Sequence, residues 1–363
     1  MERLKVVFTG GGTGGHLYPA IAIAQALSDR ADVTFIGTAD RLEAQIVPNA
    51  GYPLITVSAA PLRRVFNNIP GIFQALSALA RIKPDIVIAT GGYVCFPVVV
   101  AARMLRITTA LLEPNAHPGL TNRALAPLVD EVWGAFPNPD KRFAGKYVHT
   151  GIPVRASLRE LPSRDVALER LGLSTKRSTL LAMGGSQGAR SINDALTSLL
   201  TTGGLPDGWQ LIHVTGEQEY DRVRAALRQA HGDTSPPQHD GIRAYLNDMT
   251  DAYAAADLVL ARAGASTVGE LAATGRPAIL VPYPYAAEDH QRANAAAVAE
   301  AGGAVVVDDR ELAAGKLRTI LADVTKPARL AAMRAAAERE RAADPLTTIL
   351  ARVDALTMRK KRS

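Results

Sequence analysis

Residues 9–20 read TGGGTGGHLYPA, five glycines in six positions with a histidine directly after them. Histidine is the side chain whose ordinary pKa, about 6.5, lets it take a proton from a hydroxyl near neutral pH. His16 is therefore a candidate general base; the other reading is a helix-start histidine bonded to nearby backbone. Gly10, Gly12 and Gly15 also satisfy the G-x-G-x-x-G spacing of a dinucleotide-binding turn. Such a turn lets another molecule approach the main chain, and the N–H groups at the head of the next helix suit an anion. A plain strand-to-helix turn is the alternative. NAD makes a second demand, an acidic residue ending the second strand to hold the ribose. The strand expected over 33–36 runs instead into Gly37, Thr38 and Ala39, and Asp40 comes too late. A dehydrogenase is disfavoured.

Five further stretches carry polar chemistry. TGGYVCFP, 90–97, offers Gly91 and Gly92, either to admit a second phosphate group or simply to turn the chain. LLEPNAHPGLTNR, 111–123, sets Glu113, Asn115 and His117 after a strand, with Asn115 either a fixed hydrogen-bonding position or a loop stabiliser. In AMGGSQGARSIN, 182–193, Ser186 and the amides around it suit a diphosphate. No Lys-Ser/Thr follows, so this is not a Walker loop. LARAGASTVGELAATGRPAILVPYP, 260–284, runs from a strand into a helix expected to begin near Ser266, whose N–H groups and dipole suit a phosphate. Glu270 lies one turn in. It can accept from both hydroxyls of a ribose or merely complement the helix dipole. Finally AAEDHQRANA, 286–295, gives Asp289, His290, Gln291 and Asn294. Gln291 and Asn294 are three apart and share a helix face, suited to sugar hydroxyls and an acetamido group or simply solvated.

These stretches sit on a regular frame. Strands are expected at 5–8, 33–36, 54–57, 86–89, 109–112 and 131–133, with helices at 19–28, 72–81 and 98–105. After a break near 151–161 the rhythm restarts. Strands are expected at 180–183, 211–215, 242–244, 258–261, 278–281 and 304–307, helices at 191–200 and 219–229, and a helical end over 316–356. Each half opens alike, with strand, glycine turn and helix. The pattern is α/β, two doubly wound Rossmann-like domains facing a cleft, with ligands at the carboxyl ends of the strands.

Bulk composition agrees. The chain has 363 residues, enough for two domains, and 47% hydrophobic against 21% charged residues points to a packed globular protein. One cysteine, Cys95, excludes an intramolecular disulfide or a cysteine zinc cluster and suits a reducing compartment. Residues 4–8 are too short for a signal-peptide core. The most apolar stretch, 94–112, is broken by Arg103 and Arg106, short of the about 20 residues a span needs. A net charge of +6 allows an anionic partner or a mildly basic soluble protein.

GGGTGGHLYPA, TGGYV, EPN with GLTNR, GIPVR, GGSQGA, AGASTVGELAA and DHQRANA follow in this order over about residues 4 to 350. Together they resemble the bacterial peptidoglycan family of UDP-N-acetylglucosamine–N-acetylmuramyl-(pentapeptide) pyrophosphoryl-undecaprenol N-acetylglucosamine transferases. The resemblance implies the GT-B fold. Its acceptor- and membrane-facing domain would be 1–155, joined by a C-terminal helix at 343–363, and its UDP-GlcNAc-binding domain 156–342. It implies inverting transfer of GlcNAc from UDP-GlcNAc to lipid I, giving lipid II, and through it a part in cell-wall biogenesis, cell shape and division. It implies a peripheral seat on the cytoplasmic face of the inner membrane, an anionic membrane surface and other cell-wall synthesis proteins as partners, and no nucleic acid. No cofactor and no protein-bound metal are expected, UDP-GlcNAc being a substrate.

By the same resemblance His16 is the base. Thr13, Gly14, Gly15, Asn115, Arg155, Ser186, Leu246, Gln291 and the run Ala265, Ser266, Thr267, Val268, Gly269 and Glu270 contact the donor. Pro114, Ile152 and Leu112 depart from the family's usual glutamine, asparagine and histidine. A lipid-linked acceptor calls for a membrane contact, and PLRRVFNNIPGIFQAL, 61–76, sets Arg63 and Arg64 beside Leu62, Val65, Phe66, Ile69 and Phe73. A core-facing helix with two solvated arginines is the other reading. A UDP-GlcNAc 2-epimerase of the same fold is the rival enzyme, and a non-catalytic sugar-nucleotide sensor the rival binding protein.

Overall fold

The computed structural model describes residues 3–137, 140–185, 188–232, 241–313, 315–341 and 344–362. The chain forms two compact units, Met1–Arg155 with Ala343–Ser363, and Ala156–Ala342. In the first, the strands are β1 (Leu4–Thr9), β2 (Ala31–Gly37), β3 (Leu54–Thr56), β4 (Ile86–Ala89), β5 (Thr108–Glu113), β6 (Glu131–Gly134) and β7 (Tyr147–His149). They make one sheet in the order β3-β2-β1-β4-β5-β6-β7. The pairing is parallel, with Val6 opposite Val33 on one side and Ile86 on the other.

Helices α1 (Gly14–Ala26), α2 (Glu43–Asn49), α3 (Ile69–Ile82), α4 (Cys95–Met104) and α5 (Leu120–Leu125) connect these strands. Because helices cover both faces, strand residues are apolar at successive positions, as in IVIA of β4, where all four are buried. Alternate side chains serve different cores. Val6, Phe8, Ile86 and Ile88 pack with Leu17, Ile23 and Leu27 of the α1 region. Val7 and Val87 pack on the other side with Ala75, Leu79 and Val98.

The second unit repeats the design with β8 (Ser178–Met183), β9 (Trp209–Val214), β10 (Ile242–Arg243), β11 (Leu258–Ala261), β12 (Ala278–Leu280) and β13 (Ala304–Val306). Their order is β10-β9-β8-β11-β12-β13, again parallel. Its helices are α6 (Arg164–Leu171), α7 (Arg190–Thr201), α8 (Glu217–His231), α9 (Thr250–Ala255), α10 (Ala265–Thr274), α11 (His290–Glu300), α12 (Asp309–Ala313), α13 (Leu317–Val324) and α14 (Pro327–Glu340). The last helix, α15 (Pro345–Arg362), belongs to the first unit. There Ile349, Val353 and Leu356 enter the α1-side core, Asp354 pairs with Arg30 at 2.8 Å, and Arg352 Nε donates to Glu131 at 3.0 Å.

Both sheets reverse their winding once, between β1 and β4 and between β8 and β11. Those reversals are where an open α/β sheet leaves a crevice for ligand. The glycine loops follow β1, β4, β8 and β11, so the topology puts each of them beside a reversal.

Three expectations about the elements change. The helix expected over 19–28 begins at Gly14, so Gly14, Gly15 and His16 form its first turn rather than a loop before it. Pro19 lies inside that helix and lacks the N–H that would return to the Gly15 carbonyl. The helical end over 316–356 is three helices, two of which start at Pro327 and Pro345, where proline's missing N–H costs nothing. The stretch 61–76 is a 3₁₀ segment, Leu62–Asn68, leading into α3.

Candidate active site

In the first unit the loops after β1 and β4 lock together. Gly11 N donates to the Gly91 carbonyl at 3.2 Å. Gly91 and Gly92 have φ of +110° and +87°. A Cβ on Gly92 would lie 2.5 Å from the Gly11 carbonyl oxygen, and one on Gly91 would lie 2.4 Å from His16 Nδ1. These two glycines therefore make room for the first loop and for the His16 ring. Of the two readings open from sequence, the chain-packing one has a direct physical cause.

His16 stands in the first turn of α1, half-buried, with Nδ1 3.0 Å from the Thr90 carbonyl oxygen. A carbonyl only accepts, so Nδ1 carries the proton in this bond and the neutral ring keeps its lone pair on Nε2. Thr13 is the N-cap residue, extended at φ −139° and ψ 155°, and its carbonyl accepts from His16 N at 3.2 Å. Gly14 and Gly15 present first-turn amides at the positive end of the helix.

Glu43, at the head of α2, was not singled out by sequence. It is buried, and its carboxylate accepts from Gly12 N at 3.0 Å, Thr38 N at 3.1 Å and Thr38 Oγ1 at 2.6 Å. A carboxylate of the chain itself thus takes the amide that a dinucleotide turn would offer to pyrophosphate. Nothing in the sequence spacing marks its hold on the first loop, since Gly12 lies 31 residues away.

Asn115 is held by Glu113, which ends β5. Glu113 accepts from Asn115 N at 2.9 Å, Asn115 Nδ2 at 3.3 Å, Gly119 N at 3.2 Å and Asn122 Nδ2 at 2.8 Å. Burial pushes this carboxyl up to about 7 against the pull of those donors. Arg155 lies with its guanidinium 5.0 Å from the centre of the Tyr18 ring, which ties it to α1. Leu112 and Ile152 are buried, so apolar side chains suit both positions.

In the second unit Ser186 lies outside the described residues. Leu246 is half-buried in the stretch after β10. Helix α10 starts at Ala265, one residue earlier than expected. It has no side-chain cap at Gly264 and no acidic residue in its first turn. Its first return bond is Val268 N to the Gly264 carbonyl at 3.0 Å, so the amides of Ala265, Ser266 and Thr267 precede the bonded part of the helix. Ala265, Val268 and Gly269 are buried, while Ser266, Thr267 and Glu270 are half-buried. The Glu270 carboxylate accepts from the Tyr253 hydroxyl at 2.8 Å.

Gln291 and Asn294 do different things. Asn294 is fully buried and donates to the Ala263 carbonyl at 3.1 Å, bracing the strand end before α10. Helix spacing alone put it on a sugar-facing surface; burial corrects that. Gln291 accepts from Tyr283 N through Oε1 at 3.0 Å. Since the backbone partner is a donor, the amide orientation is fixed and its NH₂ is the end left to donate elsewhere. Arg262, also not singled out by sequence, joins the same region. It pairs with Asp309 at 2.5 Å and donates to Ser191 Oγ at 2.8 Å and the Val281 carbonyl at 3.2 Å.

A model of the glycosyltransferase family 28 N-terminal domain matches residues 6–133, and one of the family 28 C-terminal domain matches residues 179–349. The UDP-N-acetylglucosamine–N-acetylmuramyl-(pentapeptide) pyrophosphoryl-undecaprenol N-acetylglucosamine transferase of Moorella thermoacetica is 42% identical over 92% of this chain and 94% of its own. That of Halothermothrix orenii is 41% identical over 88% and 90%. Among solved structures, Acinetobacter baumannii MurG superposes with a TM-score of 0.80 at 28% identity, covering 97% of this chain and 99% of that one. The "putative UDP-N-acetylglucosamine 2-epimerase" of Listeria monocytogenes shares the fold alone, with a TM-score of 0.66 at 14% identity, covering 98% of this chain and 97% of that one. Matched along nearly its whole length, the chain belongs to the family of UDP-N-acetylglucosamine–N-acetylmuramyl-(pentapeptide) pyrophosphoryl-undecaprenol N-acetylglucosamine transferases and has the GT-B fold.

Proposed function

We propose that the chain transfers GlcNAc from UDP-GlcNAc, with inversion, to the 4-hydroxyl of the MurNAc sugar of lipid I, giving lipid II. The observation that carries the chemistry is the His16–Thr90 bond. It leaves the neutral imidazole with Nε2 as its basic atom. As that atom takes the hydroxyl proton, Nδ1–H becomes a charge-assisted donor to the Thr90 carbonyl, and the developing imidazolium is stabilised.

The second unit is assigned the nucleotide. The amides of Ala265, Ser266 and Thr267 at the uncompensated head of α10 would take diphosphate oxygens, Glu270 the ribose and the Leu246 backbone the uracil. The NH₂ of Gln291 would donate to the sugar. Ser186 is assigned to the diphosphate, and Thr13, Gly14, Gly15, Asn115 and Arg155 to the donor from the first unit. Fixed N–H dipoles and the Arg155 guanidinium suit the charge that grows on departing UDP, and no protein-bound metal or cofactor is invoked.

Incubation with labelled UDP-GlcNAc and a lipid I analogue is expected to give labelled lipid and UDP. Conversion of UDP-GlcNAc alone, with no labelled lipid, would instead favour an epimerase.

The acceptor's lipid calls for a membrane seat. Among the described residues no helix is long and apolar enough to cross a membrane. Phe66 is 80% and Phe73 67% exposed, Val65 and Ile69 are also exposed, and Arg63 and Arg64 stand beside them. Helix α3 buries a different side, Gly71, Ala75, Ala78 and Leu79, which leaves the phenylalanines out of the core. This patch is assigned to an anionic bilayer surface, as a peripheral contact on the cytoplasmic face of the inner membrane. With about 1 kcal/mol per arginine at such a surface, replacing Arg63 and Arg64 by serine should weaken binding to phosphatidylglycerol vesicles about 20–30-fold. Unchanged co-sedimentation would remove the patch from the membrane role.

A further inference from the structure

Glu270 is assigned above to the ribose, and a carboxylate reads a pair of hydroxyls only if its plane is held. What holds it lies beneath. Tyr253, on α9, is fully buried, and its hydroxyl donates to Glu270 Oε2 at 2.8 Å while lying 3.8 Å from Met183 Sδ at the end of β8. A buried phenol must find an acceptor, and burial with the adjacent carboxylate pushes its own pKa well above 10. It is therefore a permanent donor. Glu270 is anchored at its other end, where its backbone carbonyl accepts from Thr274 Oγ1 at 2.7 Å.

We propose that Tyr253 is a positioning residue for nucleotide recognition. It orients the Glu270 carboxylate so that the site selects ribonucleotide over deoxyribonucleotide. The inference rests on the ribose role of Glu270, and the experiment separates the two.

The probes are UDP and 2′-deoxy-UDP, with binding measured by calorimetry on the full chain. The native protein should bind UDP about tenfold more tightly than its deoxy form, the scale of one hydrogen bond to a charged group. Tyr253→Phe should bring that ratio close to one and raise the KM for UDP-GlcNAc about tenfold, with kcat within about twofold. Tyr253→Phe combined with Glu270→Ala should be no worse than Glu270→Ala alone.

If Tyr253→Phe keeps the native ratio while Glu270→Ala abolishes it, the ribose role stands and the positioning role is overturned. If the native protein does not discriminate and Glu270→Ala binds UDP normally, the ribose role itself falls and the inference with it. Should Tyr253→Phe fail to fold, Glu270→Asp serves. One methylene shorter, it draws back from the phenol, and the inference requires it to lose the deoxy discrimination; an unchanged ratio overturns it.

Discussion

His16→Ala lowers kcat by about 10²–10⁴-fold, the range for removing a positioned general base, while the KM for UDP-GlcNAc stays within about twofold. The split follows from what the side chain touches. Its Nδ1 is committed to the Thr90 carbonyl, and its other nitrogen is the one suited to a proton on the acceptor hydroxyl. The nucleotide contacts are assigned elsewhere, chiefly to α10 and Glu270. Loss of the ring removes an interaction made in the transition state and leaves donor binding in place. Single-turnover measurements with a lipid I analogue over a range of UDP-GlcNAc concentrations read this directly. Near-normal turnover in His16→Ala would end the assignment, and a large rise in KM with kcat intact would move His16 from the reaction to the binding of donor.

Much of the frame that presents His16 was legible. Apolar runs such as IVIA and the repeated strand, glycine turn and helix gave the parallel sheets, because strands buried on both faces need such runs. The start of α1 was less legible. Proline favours a first helical position, so Pro19 drew the boundary forward, whereas Thr13 stands at the N-cap position and Gly14 and Gly15 open the first turn. Residues that hold the site were the hardest to see. Glu43 reads as an ordinary acidic helix start, and only the fold brings it beneath Gly12. Tyr253 reads as a core aromatic, and its value lies in one hydroxyl contact to Glu270. Asn294 and Gln291 share a spacing but not an environment, since packing sends one inward to Ala263. Spacing reports which residues can be neighbours on one element; it is silent on contacts made between elements.

Gly91→Ala tests the seat of the imidazole rather than the imidazole. The backbone at Gly91 has φ +110°, which an L side chain rarely adopts, and the new Cβ would meet His16 Nδ1 at 2.4 Å and Cε1 at 2.6 Å. Backbone strain of this kind costs about 1–3 kcal/mol of stability. The ring must also leave the Thr90 carbonyl, so kcat should fall nearly as far as in His16→Ala, about 10²-fold or more. The two losses have one origin, so they should not multiply. Gly91→Ala combined with His16→Ala should turn over no more slowly than His16→Ala, and it should melt higher than Gly91→Ala, since removing the ring opens the space the methyl needs. Gly92→Ala gives the contrast. Its Cβ would strike the Gly11 carbonyl at 2.5 Å, a backbone obstacle that His16→Ala cannot relieve. Turnover and thermal melting of these four variants separate the possibilities. A fully active Gly91→Ala, or losses that multiply in the double variant, would mean that the loop after β4 does not hold the histidine for its reaction.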